Sequence, residues 1–141
     1  MAYSVWSVIA GETPTATKWN ILGSNDADFD SRVNQLEIDK TLFAEDDGAT
    51  VTFDLNVSKL QTVTLEGNRT LALANVPAGK FFVIRLVQGT GGSKTVNWWS
   101  GIKWINNVIP PLSTVAGKTD IFGFLCVSAG VYEGALGMPT L

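Results

Sequence analysis

Apolar and polar residues alternate along much of the chain after Gly48. In the stretch 51–57, apolar side chains occupy every second position, with threonine, aspartate and asparagine between them. This period of two predicts a strand with one buried face. The stretches 62–65 and 70–74 have similar β character and flank Glu66-Gly67-Asn68-Arg69, which predicts a tight hairpin at that point.

Two later stretches are apolar at nearly every position. They are residues 81–87, interrupted by Arg85, and residues 121–127, interrupted by Gly123. Strands of this kind are covered on both faces, so we expect the domain core on one side and a second sheet or a neighbouring subunit on the other. The pattern predicts roughly seven to nine short strands in a β-sandwich or jelly roll over 48–141.

The spacing of apolar residues is different before residue 48. Thr13 can cap a helix, Pro14 suits its first position and Gly23 suits the position after its end, which together predict a short helix over 14–22. A second helix is predicted to begin near Asn25. Residues 1–47 are therefore predicted to form an N-terminal arm with a helical segment, and residues 48–141 to form the β module.

In the second predicted helix, five residues recur at spacings of four and three, as in the seam of a coiled coil. They are Phe29, Val33, Leu36, Lys40 and Phe43. Because a helix of two heptads is marginal alone, we expect Phe29, Val33, Leu36 and Phe43 to form an oligomer interface with the same helix of sister chains. The alternative is an amphipathic helix lying on its own domain.

The composition favours an oligomer. Charged residues make up 16% of the 141 residues and apolar residues 45%, whereas a typical globular domain is about 25% charged. Since a small domain has proportionally more surface to cover, part of this surface is expected to be buried against copies of the same chain. A compact monomer rich in serine, threonine and asparagine is the alternative.

The charges argue against several classes of partner. Residues 1–47 carry a net charge of −6 and residues 48–141 a net charge of +3, without any basic run, and the sequence pI is about 4.8. We therefore expect no nucleic-acid partner. No stretch approaches the roughly 20 apolar residues of a membrane span, and the first ten residues do not resemble a signal peptide. We expect synthesis in the cytoplasm without membrane insertion.

Candidate catalytic groups are few. The chain has no histidine, which excludes Ser-His-Asp and Cys-His catalysis and histidine-based zinc sites. Cys126 is the only cysteine, and its apolar surroundings predict a buried thiol. The acids of the β zone, Asp54, Glu66, Asp120 and Glu133, form no recognisable motif. We predict a protein that is not an enzyme and that holds no cofactor and no metal.

Acidic residues 26–37 partly match a calcium loop. Asp26, Asp28, Asp30 and Glu37 fall at the ligand positions of an EF-hand, but Ser31 stands where the loop requires glycine. We interpret these acids as helix-capping and solvent-exposed residues.

Trp98, Trp99 and Trp104 cluster within seven residues. Large aromatic side chains fill cores and oligomer interfaces, and exposed ones stack on sugar rings. Trp98 continues the phase of Val96, which favours burial, whereas Trp99 points the opposite way. Core or interface packing is the favoured interpretation, and glycan contact through the three tryptophans is the alternative.

Two parts of the chain carry longer motifs. Residues 11–23 read GETPTATKWNILG, and residues 62–79 read TVTLEGNRTLALANVPAG. The second motif is followed by RLVQGTGG at 85–92, by TVNW at 95–98, by GIKW at 101–104 and by TDIFGFLC at 119–126. The first motif is similar to N-terminal segments of tail and fibre proteins of tailed bacteriophages. The later motifs resemble β modules near the ends of phage fibre and other virion proteins.

The resemblance implies a structural virion protein that attaches by its N-terminus and exposes its β-rich part, commonly as a homotrimer. Trp6, Pro14, Trp19 and Asn20 are then the expected attachment residues, with a capsid or tail protein as partner and the virion as location. No extended shaft separates the helix from the β module, which favours a short fibre, spike or decoration protein. Contact with a host surface glycan is the alternative role.

Overall fold

The computed structural model describes residues 41–137 together with Ala27, Asp28 and Arg32. Contacts between residues divide the chain into the units Met1–Glu37 and Ile38–Leu141. In the first unit, the three described residues are all α-helical, and they lie within the second predicted helix. The second unit holds the β module.

The described part of the module consists of nine strands and one short 3₁₀ helix. The strands are β1 (Leu42–Ala44), β2 (Thr50–Asp54), β3 (Leu60–Leu65), β4 (Arg69–Ala74), β5 (Phe81–Gln88), β6 (Val96–Asn97), β7 (Ile102–Trp104), β8 (Thr119–Ser128) and β9 (Val131–Leu136), and the 3₁₀ helix is Ile105–Asn107.

The strands form two sheets. The six-stranded sheet has the order β1-β3-β5-β8-β9-β7, and the three-stranded sheet has the order β2-β4-β6. In the larger sheet, β8 is antiparallel to both of its neighbours, β5 and β9, while the other three pairings are parallel. Both pairings of the smaller sheet are parallel. The prediction of a mainly β protein is confirmed, although these parallel pairings differ from the antiparallel pairings of a jelly roll.

From β1 to β6 the chain passes alternately from the larger sheet to the smaller one. Each such pair of strands makes one coil, so that β1–β2, β3–β4 and β5–β6 are three successive coils. Each coil lies in parallel register on the one before: Leu60 pairs with Leu42 of the first coil and with Val83 of the third. Strands β7 to β9 then complete the larger sheet.

The hairpin predicted at Glu66-Gly67-Asn68-Arg69 is wrong. Strand β3 pairs with β1 and β5, and β4 pairs with β2 and β6. Glu66, Gly67 and Asn68 instead carry the chain from one sheet to the other, and Arg69 begins β4. The period of two in both flanking stretches determines which face of a strand is buried, but it does not determine which strand lies beside it.

The prediction that Phe43 belongs to a helix is also wrong. Phe43 lies in β1, where it pairs with Gln61 of β3 and remains 40% exposed. The backbone N–H of Glu45 donates to the carbonyl of Thr62 over 2.8 Å, so this segment is held by a neighbouring strand. Its apolar residues suit either a heptad or a strand, and the presence of β3 decides between them.

A single apolar core lies between the two sheets. It forms because alternate side chains of each strand point inward: in β2, Val51 and Phe53 are 1% and 0% exposed, whereas Thr50 and Thr52 are exposed. The predicted strand 51–57 ends earlier, at Asp54, although Leu55 still enters the core. The remaining core residues are Val63, Leu65, Leu71, Phe82, Ile84, Leu86, Trp104, Phe122 and Phe124.

Side chains in the turns join successive coils to one another. The amide N–H of Thr95 donates to Oδ1 of Asn68 over 3.0 Å, and Nδ2 of Asn75 donates to Oδ1 of Asp54 over 2.8 Å. Both bonds connect a turn of one coil to a turn of the next. The coils are therefore held together at their turns as well as along their strands.

Candidate functional site

The structure brings the three predicted tryptophans together. Trp98 follows β6, and its ring centroid lies 5.1 Å from that of Trp104, 5.5 Å from that of Trp99 and 4.8 Å from that of Phe122. Trp99 packs 4.9 Å from Phe124. Aromatic pairs at these separations stabilise the fold beyond the apolar area that they bury. The cluster is thus continuous with the core of the module.

One side of this cluster is open. Trp104 is 9% exposed, and Trp98 and Trp99 are half-buried. Together with Asn97 and Ile109, the three tryptophans line an open pocket of about 380 Å³. The indole N–H of Trp99 is buried and has no hydrogen-bond partner among the described residues. The three rings thus pack as the favoured interpretation predicted. The expectation that Trp99 points away from Trp98 is wrong, because both rings pack against Phe124.

Tyr132 lies beside the tryptophans on β9. Its ring stands edge-on to that of Trp99, with centroids 6.0 Å apart. Burial raises the pKa of the Tyr132 hydroxyl, and the neighbouring Cys126 raises it further. Cys126 itself is buried, in agreement with the sequence prediction.

The outer face of the six-stranded sheet, which points away from the core, is apolar over its central strands. Because Phe82, Phe122 and Phe124 point into the core, the alternate residues of β5 and β8 point outward. Among them, Phe81 is 58% exposed, and the residue paired with it, Leu125, is 39% exposed. The predicted cover on this side of β5 and β8 is absent from the described residues. We call this surface the outer face.

A groove runs across the outer face. It has a volume of about 420 Å³, and its lining includes Phe81, Leu125, Gly123, Gly134 and Ala135. Gly123 and Ala135 pair with each other in neighbouring strands, so the floor of the groove lacks large side chains. The Phe81 ring lies over Gly123, since a Cβ built there would meet its Cζ at 3.3 Å.

Three charged side chains stand on the outer face. Lys103 of β7 lies opposite Glu133 of β9, and both line the groove. Arg85 of β5 donates to Oγ1 of Thr62 and to Oγ1 of Thr119, each over 3.2 Å. The face therefore carries both signs of charge around an apolar centre.

The acids of the β zone are mostly engaged in holding loops. Oε2 of Glu66 accepts from the backbone N–H of Thr90 over 3.0 Å. The buried Asp120 accepts from the N–H and the hydroxyl of Ser113, each over 2.8 Å. Asp54 accepts from the N–H of Asn56 over 2.9 Å. These bonds give the three carboxylates structural roles in the turns.

The acids between β1 and β2 have opposite pKa shifts. Burial raises the pKa of Glu45, and the negative charges of Asp46 and Asp54 raise it further. The pKa of Asp47 is lowered, chiefly by its hydrogen bond with Arg69. Within the described ranges, no group of three acids, cysteines or histidines is arranged to hold a metal ion.

The other predicted site residues lie outside the described residues. They are the attachment residues Trp6, Pro14, Trp19 and Asn20 and the bundle residues Phe29, Val33 and Leu36.

In the part of the chain that is described, no helix is long and apolar enough to cross a membrane. The sequence did not predict an exposed apolar surface at Phe81 and Leu125, and the nearly continuous apolar character of 81–87 and 121–127 was the signal for it.

Comparison with known proteins yields no relative: no family model, no curated protein and no solved structure matches this chain. The function is therefore inferred from the residues and their arrangement.

Proposed function

We propose that this chain is a non-enzymatic structural protein of a phage virion: a short fibre, spike or decoration protein. Its N-terminal segment docks on a capsid or tail protein, and its β module projects as a trimer. It is made in the host cytoplasm and becomes part of the particle. The observation that carries the proposal is the apolar outer face, because exposed apolar patches on a folded domain mark contacts with other proteins.

The build of the module supports a mechanical role. Successive coils are hydrogen-bonded to one another at their turns, which makes the turns rigid. The two sheets share one core, which gives the module a sandwich-like body. The motifs that resemble phage virion proteins supply much of this structure: residues 62–79 contribute most of β3 and all of β4, and residues 119–126 contribute most of β8. Where that resemblance is strongest, it therefore coincides with the framework of the module.

The test of this role is the location of the protein. An antibody against the β module should label intact, purified particles in negative-stain electron microscopy, and the protein should sediment with them. Trp19→Ala is expected to reduce the copies per particle at least several-fold, whereas Val57→Ala, in a turn of the module, should leave them unchanged. Protein found only in the soluble fraction of the lysate would contradict the proposal.

The trimer can be tested at the predicted seam. Leu36→Asp places a charge among apolar side chains and should dissociate the bundle, since an unpaired buried charge is costly. Glu37→Gln, at the adjacent position outside the seam, is the matched control. Light scattering of the full chain measures both masses. An unchanged mass for Leu36→Asp would remove the seam from the proposal.

Carbohydrate or host-receptor binding is the second candidate, favoured by the open pocket beside the tryptophans. Asn97 offers an amide there, while the indole rings offer faces on which a sugar could stack. A glycan array on the purified protein tests this function. Asn97→Ala should abolish any specific signal without disturbing the core, because Asn97 is exposed. If no glycan on the array binds, carbohydrate binding is contradicted and the structural role remains as the proposed function.

A further inference from the structure

We propose that the outer face is the surface through which the β modules of neighbouring copies of this chain contact one another. This inference deepens the proposed function and rests on it, because it names both the partner and the residues of the assembly. It adds a second self-contact to the predicted helical seam, and this one is formed by residues that the structure describes.

The exposed side chains on the outer face are those of an interface core. Phe81 and Leu125, which pair across β5 and β8, are 58% and 39% exposed, and these two strands are the central ones of the sheet. Interface centres are enriched in aromatic and apolar groups and depleted in charge. Transferring these side chains from water to a partner surface is favourable by about 25 cal/mol for each Å² of apolar area.

The groove on the face has room for an apolar side chain of another copy. Its floor lacks large side chains at Gly123 and Ala135, while the Phe81 ring over Gly123 and the Leu125 side chain make its lining apolar. Substitutions that place a charge on this lining should therefore weaken the contact.

The charges also suit a second copy. Lys103 and Glu133 lie side by side at the edge of the groove. A surface with both signs can pair each charge with the opposite one on an identical neighbour, whereas a surface of one sign would repel its own copy. With Arg85 included, the face carries one acid and two bases, so the repulsion between copies is small.

The size of the face is adequate for self-association. The six strands average about 20 Å in length and lie about 4.8 Å apart, so together they cover roughly 600 Å² in projection. Side-chain relief makes the accessible area larger, which brings it near the roughly 800 Å² that each partner contributes to a standard stable interface. A face of this size can hold modules together once a bundle or a virion site has brought them close.

The test uses the full chain and light scattering over a hundredfold range of concentration. The wild-type protein should have a mass several times that of the 15.1 kDa chain. Leu125→Asp and, separately, Phe81→Asp should shift the midpoint of dissociation to at least tenfold higher concentration. Val115→Asp is the control, because Val115 is 62% exposed in the loop that precedes β8 and does not line the groove. Near-UV circular dichroism should show the same tryptophan signal for all four proteins.

A charge exchange tests the same surface without touching its apolar centre. Glu133→Lys should weaken association, and the double variant Lys103→Glu/Glu133→Lys should restore it. If both Asp variants keep the wild-type mass, the inference is overturned while the proposed trimer stands. If the wild-type chain is monomeric throughout, the trimer and this inference are both overturned.

Discussion

Gln88 holds the loop that follows β5 through both ends of its side-chain amide. Oε1 accepts from the N–H of Lys94 over 2.8 Å, and Nε2 donates to the carbonyl of Lys94 over 2.9 Å. The side chain is only 2% exposed. A backbone group that is removed from water and loses its partner pays the cost of desolvation, so Gln88 contributes to fixing the conformation of the loop at Lys94.

Gln88→Leu is expected to lower the free energy of unfolding by about 1–3 kcal/mol, because it leaves two partly buried backbone groups of Lys94 without a partner. Urea titration monitored by circular dichroism measures the change. Lys94→Ala keeps the same backbone groups and should stay within about 0.5 kcal/mol of wild type. Equal stability of Gln88→Leu and wild type would show that water replaces the amide.

Asp47 and Arg69 form a two-pronged ion pair between neighbouring coils. Nε of Arg69 donates to Oδ1 of Asp47 over 2.8 Å, and Nη2 donates to Oδ2. This bonding lowers the pKa of Asp47 below its usual range. A carboxyl group with a lowered folded-state pKa contributes stability above its unfolded pKa of about 3.9, and loses that contribution as the pH falls through the folded value.

Asp47→Asn should therefore be less stable than wild type at pH 7, and the difference should shrink as the pH is lowered below about 4. Urea titrations at pH 7 and pH 3 make the comparison. Asp46→Asn is the control: it leaves the pair of Asp47 with Arg69 in place and only relieves the repulsion of Glu45, so it should not be less stable than wild type at pH 7. A difference that is the same at both pH values would mean that the pair contributes nothing through its charge.

At the scale of elements, two loops meet where Gly92 approaches the segment before β8. A Cβ on Gly92 would lie 2.2 Å from the carbonyl oxygen of Thr114, and its φ of 61° is in the left-handed region. The N–H of Ser93 donates to the same carbonyl over 2.7 Å. The loop after β5 therefore docks on the segment before β8 only because residue 92 has no side chain.

Gly92→Ala should destabilise the module more than Gly91→Ala does. Gly91 also has a positive φ, of 78°, but a Cβ there would meet nothing within 4 Å. The left-handed conformation alone costs an alanine about 1–2 kcal/mol, and the collision at residue 92 adds to that cost. Thermal unfolding of both variants measures the difference. If the two variants lose the same stability, the loop after β5 and the segment before β8 can move apart at no cost.

Trp98 links β6, β7 and β8 through its ring contacts. It packs against Trp104 of β7 and Phe122 of β8, and it stands in the wall between two surface pockets. Its removal would therefore open the core to solvent at the end of the smaller sheet.

Trp98→Ala is expected to cost about 3 kcal/mol of stability, as truncation of a large packed aromatic does. Urea unfolding followed by far-UV circular dichroism measures the loss. Ile109→Ala, which shortens an exposed side chain lining the same two pockets, should cost less than about 0.5 kcal/mol. A Trp98→Ala protein as stable as wild type would leave surface binding as the main role of that ring.

At the scale of the whole molecule, the path of the chain makes most pairings long-range. Neighbouring strands of the three coils are separated by an intervening strand of the opposite sheet. The chain must lose conformational entropy to bring these distant strands together before their contacts can stabilise the fold. The same path leaves one side of the larger sheet without a covering layer among the described residues, which is why the outer face is available to another copy.

Refolding of the module should accordingly take milliseconds to seconds rather than microseconds. Stopped-flow circular dichroism in the near ultraviolet follows the tryptophan cluster as it forms. Recovery of the full signal within the instrument dead time would contradict this expectation and would indicate that local contacts dominate folding.

The sequence by itself determined several of the strands and the side chains through which those strands enter the core. Val51 and Phe53 are buried as their alternation predicted, and the stretches 81–87 and 121–127 are strands. Side-chain alternation is a local property of the backbone, so it can be read from neighbouring residues. The clustering of the three tryptophans was likewise visible in their spacing.

Only the tertiary structure decided which strands lie beside each other. It turned the expected hairpin at Glu66-Gly67-Asn68-Arg69 into a crossing between sheets, made Phe43 part of a strand and left Phe81 and Leu125 exposed on one face. Strand pairing depends on the whole path of the chain, because a strand gains the same hydrogen bonds from any neighbour that presents its backbone in register. Local sequence patterns contain no information about that choice.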